Sequence, residues 1–229
     1  MYQLTREDRY KVCVHEAAHA VIFALGGLFI ERLEVAPEGC INFSTVSRRG
    51  LTTTDLWGRC TPILMLNLFE FVHWNENSDC YIADKAGWKE MLKLKSRELV
   101  SIAKHAVRVL ICGYLAGPIA DEIQEGEALD HGPAWLEPTG QERHDLDKAY
   151  GLSQLSVWRN EYGALAALTE QTLRRPNVWA MVVKLACELE RVGDMRNFDG
   201  FLPDAVAGWP SSTQAKKPVV IGALRVVAG

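Results

Sequence analysis

Residues 12–21 read VCVHEAAHAV, and this stretch commits the chain to a helix carrying two imidazoles and a carboxylate on a mostly apolar body. Thr5 ahead of Arg6-Glu7-Asp8 supplies the start: a hydroxyl cap, then acidic residues that suit the positive end of the helix dipole. Gly26-Gly27 supplies the stop. Between them Val12, Val14, Ala18, Val21, Ile22 and Leu25 spread around the cylinder, so the predicted helix is buried over much of its surface. His15, Glu16 and His19 therefore need partners, because unpaired polar groups are costly to bury.

Residues four apart share a helix face, so His15 and His19 can aim two ring nitrogens at one point about 2.0–2.1 Å away, which suits zinc. Glu16 flanks that point without ligating it, placed to take a proton from a water that the metal has acidified. One helical turn would thus supply nucleophile and general base for amide hydrolysis. With this composition a helix-compatible H-E-x-x-H arises by chance in about one such chain in a hundred. A catalytic zinc uses three protein ligands and keeps one position open, so a third ligand must lie downstream. The choices are His73, His105, His131 and His144, with acidic groups at Asp121-Glu122, Asp130 and Asp145 to Asp147. Composition favours the region 121–147 and does not choose within it.

The surroundings of that helix exclude several other classes. With 229 residues, 48% of them apolar and 24% charged, the chain is long enough for one sizeable globular domain. A net charge of -4, with Lys and Arg scattered, lacks the basic face that phosphate binding needs, and no nucleic-acid partner is expected. The six cysteines form no C-x-x-C and read as reduced thiols. MYQLTREDRYK shows no secretory signal, and the most apolar windows, Pro62 to Trp74 and Ile102 to Ala116, fall short of a bilayer span. A cytoplasmic protein without membrane contact is the expectation.

The pattern along the chain is mainly α, with a small β-hairpin in the N-terminal third. ERLEVAP and CINFSTVS around Pro37-Glu38-Gly39 predict that hairpin from about 31 to 47. Residues 54–74 read as helix, NENSDC at 75–80 as a loop, and Ala86 to about Gly113 as one helix. Gly117-Pro118 predicts a kink or restart before 119–123. GEALDHGPAWLEPTG at 126–140 reads as a long functional loop, and the box Thr139-x-x-Glu142 predicts a helix from near Gly140 to about Leu155. Helices over 161–173 and 177–192 follow, then a linker and a short β-prone tail at 211–229.

Several segments together resemble one known family. VCVHEAAHAVI is similar to the VAxHExGHA helix of the FtsH-type ATP-dependent zinc metalloproteases, and RLEVAPEG to the strand that follows it. LAGPIADEI resembles that family's LxGRxAEE, TGQERHDLDKAYGLS its TGAxNDLxxAT, and LACELERVGDMRNFDGFLPDAV its C-terminal helices, all in the same order. The resemblance implies a helical metallopeptidase domain over 1–210 with Zn2+ held by His15, His19 and Asp145, Glu16 as the catalytic base, and Asp121 orienting a ligand histidine. It departs at Ala18, which replaces a glycine, at Pro118, which replaces an arginine, and at His144, which replaces an asparagine and stands ready to support or compete for the metal. Extra residues at about 52–95 form an insert, expected to act as a lid or adaptor surface.

No Walker A sequence is present, so the resemblance covers the peptidase part alone. The implied substrate is an unfolded or flexible polypeptide, delivered where needed by a separate ATPase or adaptor, and the family's rings imply a homo-oligomer. His131 and Tyr150 are weaker candidates for a donor to the oxyanion. The alternative is a non-catalytic zinc-binding interaction or adaptor module, in which Glu16 would have no role.

Overall fold

The computed structural model describes residues 3–40, 44–46, 52–53, 57–64, 66–126, 139, 144–156 and 161–210. Among these, six α-helices surround one apolar core, with short antiparallel strands along one side. The mainly α reading with a small sheet near the N-terminal third therefore holds.

Helix α1, Arg6–Leu25, is the spine. The Thr5 hydroxyl accepts from the Asp8 amide and Gly26 caps the other end, as the local signals require. From Cys13 to Leu25 every residue except His15 is buried. Helix α3, Arg97–Glu125, lies along α1, with Leu110, Ile111, Leu115 and Ile119 fully buried. Gly113 permits the close approach: a Cβ there would fall 1.9 Å from Phe23 Cε1. Helices α4, Asp145–Ser153, and α5, Glu161–Leu173, pack on α3, while α6, Pro176–Val192, packs on α1.

The sheet differs from the expected hairpin. Strand β1, Ile30–Val35, pairs antiparallel with β4, Gly58–Pro62, and with β7, Asp194–Met195, in the order β4-β1-β7. Of the run expected to be its partner, the described Thr45–Val46, β2, pairs instead with Thr52–Thr53, β3. Helix over 54–74 is also corrected. Among its described residues, that span holds β4, a 3-10 turn at Leu68–Glu70 and β5, Val72–Asn75, which forms a hairpin with β6, Cys80–Ala83, across the expected loop. Apolar runs this short carry no helical or strand period, and pairing decided them.

Two helix boundaries also move. The expected single helix from 86 is broken after α2, Lys85–Lys93, because the Ser96 hydroxyl accepts from the Leu99 amide and starts α3 afresh. Helix α3 then continues through Pro118 without a break. Burial of Leu115, Ala116, Ile119 and Ala120 on both sides outweighs the lost backbone bond. As one continuous helix, α3 is long and apolar enough to cross a membrane, unlike the shorter windows expected, yet half of its apolar window is buried inside this fold.

Helix α4 begins at Asp145, not near Gly140; the Thr139 hydroxyl bonds to Asp147 Oδ2 at 2.7 Å instead of capping a helix at once. Most of the expected loop 126–140, with His131 and Asp130, and the tail 211–229 lie outside the described residues. The 52–95 insert is woven into the body: β4 joins the main sheet, and Val72, Tyr81 and Trp88 enter the core.

Candidate metal centre

The site is built where α1, α3 and α4 meet. His15 and His19 project from one face of α1, and Asp145 reaches them from the first turn of α4. His15 Nε2 lies 3.3 Å and His19 Nε2 3.1 Å from the same oxygen, Asp145 Oδ2. One donor atom from each residue falls within a 4.8 Å cluster, which can hold a metal ion.

Each histidine is oriented from behind. The Nδ1–H of His19 donates to the Gly113 carbonyl at 2.6 Å, and that of His15 donates to Asp121 Oδ2 at 2.7 Å. With Nδ1 protonated, the neutral ring presents the Nε2 lone pair to the cluster. Helix α3 thus supplies both orienting acceptors. It also supplies room: a Cβ on Gly117 would fall 2.4 Å from Nε2 of both His15 and His19. Only glycine leaves this cradle open.

Three lone-pair donors that face one another repel unless a cation or proton lies between them. The donor set therefore fits a divalent ion. Two ligands about 2.0–2.1 Å from a tetrahedral zinc stand about 3.3 Å apart, close to the two nitrogen–oxygen separations here. Burial opposes charge on His15, but Asp121 and Asp145 outweigh it and hold its pKa well above the ordinary histidine value, so an incoming ion must displace the Nε2 proton before this ring can ligate. Burial likewise opposes ionisation of Asp145, yet Lys148 and the two histidines hold that carboxyl well below its usual range.

Glu16 borders the cluster without joining it: His19, His15 and Asp145 are its charged neighbours. Its side chain is 7% exposed, outside the donor cluster, and makes no hydrogen bond among the described residues. Strand β4 passes against it: a Cβ on Gly58 would fall 2.6 Å from Glu16 Cγ and 2.8 Å from its Oε1. Burial raises the Glu16 pKa, an effect only partly offset by His19 and His15.

No family model, curated protein or solved structure matches this chain. The geometry stands on its own. His144, expected beside the metal, instead caps α4, its Nδ1 accepting from the Leu146 amide at 3.3 Å. Tyr150 stacks edge-on against Tyr162, 5.8 Å between centroids, and is half exposed. Of the other histidines, His105 reaches the Gly26 carbonyl and His73 lies exposed on β5.

Three site-forming residues carried no signal in the motif: Gly113, Gly117 and Lys148. The first two are four apart on α3, the spacing that makes a smooth stripe for a neighbouring helix. Lys148 lies three residues after Asp145 and donates to its Oδ1 at 3.1 Å, a pairing that helical spacing alone would have suggested.

Proposed function

We propose that this chain is a zinc-dependent metalloendopeptidase acting on unfolded or flexible polypeptides. The observation that carries the reading is Glu16: a buried carboxylate with no hydrogen-bond partner among the described residues, next to three converging metal donors. A purely structural metal site has no use for such a base.

A bound zinc would supply Lewis acidity, bringing a water's pKa toward about 7 and polarising the scissile carbonyl. His15, His19 and Asp145 would hold the ion, and Asp121 and the Gly113 carbonyl keep both imidazoles in the ligating tautomer. Glu16 takes the proton from the attacking water and returns it to the leaving amine. Its raised pKa suits a group that must both take and return a proton, because the shift brings it nearer to a neutral working pH.

The substrate class follows from the strand beside that base. Among the described residues β4 pairs with β1 on one side and with no strand on the other. Pro62 at its end is typical of an edge. An extended polypeptide added along β4 would run past Gly58 and so past Glu16. A folded domain offers no such free strand, hence the preference for flexible chains. The resemblance to FtsH-type peptidase segments supports the same chemistry, and with it a homo-oligomer fed by a separate ATPase or adaptor.

The test is zinc content and cleavage of a reduced, alkylated, unstructured protein by wild type and Glu16→Gln. Both should bind one zinc per chain, with cleavage by the variant about 10²–10⁴-fold slower. Stoichiometric zinc in both with no cleavage by either would replace the enzyme with a zinc-binding interaction module.

A further inference from the structure

Asp145 has two carboxylate oxygens, and the structure gives them different partners. Oδ2 faces His15 and His19, while Oδ1 accepts from Lys148 Nζ at 3.1 Å. Lys148 is itself held in place: its ammonium lies 5.2 Å from the Tyr114 ring centroid, a cation–π distance, and its side chain is largely buried. Tyr114 lies one turn before Gly117 on α3, so the lysine ties the ligand-bearing α4 to the helix that backs both histidines.

We infer that Lys148 is a positioning residue for the metal centre, occupying Asp145 Oδ1 so that the aspartate can offer the ion one oxygen only. The inference rests on the proposed metal site and adds to it the control of coordination number. A carboxylate with both oxygens free can ligate through one or through both. Bidentate ligation would fill the position that a hydrolytic centre must keep open. Lys148 also balances charge, because Glu16, Asp121 and Asp145 together exceed a divalent ion by one negative charge. An arginine could make the same bond; an apolar side chain could not.

Co(II) reports coordination number directly, since its visible band weakens as ligands are added. The experiment compares Co(II)-loaded wild type, Lys148→Arg and Lys148→Met at one ion per chain. Wild type and Lys148→Arg should share an intense band, and Lys148→Met should lose at least about half of it while still holding the ion. An unchanged band in Lys148→Met overturns the inference and leaves the metal site standing. Wild type that binds no Co(II) overturns both. X-ray absorption on zinc-loaded wild type gives a reading independent of any variant: one oxygen from Asp145 is expected, and two would contradict the role assigned to Lys148.

Discussion

Gly117 shows how far a single hydrogen atom matters in this fold. Its missing Cβ is the space between the two imidazole nitrogens, so Gly117→Ala should weaken zinc binding at least tenfold, about 1.4 kcal/mol. Helix content should not fall, because alanine is the better helix former. A chelator-competition titration beside far-UV circular dichroism separates the two. Glu16 carries a pH prediction with a definite sign. In the proposed role it works deprotonated, and burial raises its pKa above the ordinary 4.5, so kcat/KM should fall with acid from a midpoint above that value. A pH–rate profile checks it, and Glu16→Gln should remove what activity remains to be titrated. The pairing of His15 with His19 was legible because two imidazoles four residues apart share one helix face. Asp145 needed the resemblance, since spacing alone left several downstream carboxylates and histidines open. Lys148 and Gly117 become visible only when α3 and α4 are placed against α1.

At the scale of elements, the helices with local punctuation were readable and the strands were not. Thr5 and Gly26 act on backbone groups within a few residues, so the ends of α1 follow from sequence. The Ser96 signal was present but was outweighed by an apolar period that runs across the break. Strand β1 chose β4, more than twenty residues away, over the nearer β-prone run, a choice no local pattern records. Pro118 is the reverse case, a strong local signal overridden by packing on both sides. The weight of that packing can be measured. Leu110 is fully buried on α3, and Leu110→Ala should lower unfolding stability by about 2–5 kcal/mol, read by denaturant titration.

For the whole molecule, the decisive feature is that the donors come from segments 126 residues apart, His19 and Asp145. An ion held there would clamp α1 to α4 across the core, and its binding energy would add to folding stability. At zinc a hundredfold above its dissociation constant the gain is about 2.7 kcal/mol. At about 2–4 °C per kcal/mol for a chain of this size, that corresponds to roughly 5–11 °C in Tm. Chelation should remove the gain reversibly, as a thermal melt with and without zinc would record. The 52–95 insert also changes meaning at this scale. Its described strands complete the main sheet and pack on α4, where the Gln154 amide donates to the Tyr81 carbonyl at 2.7 Å. It is part of the wall of the site more than a cover laid over it.

Three donors from α1 and α4 converge on one point in space. Anomalous diffraction at the zinc edge from crystals of the zinc-loaded protein locates that point directly. The expected result is a single strong peak about 2.0–2.2 Å from His15 Nε2, His19 Nε2 and Asp145 Oδ2. No peak there, or zinc held elsewhere while these three side chains bond only to one another, would contradict it.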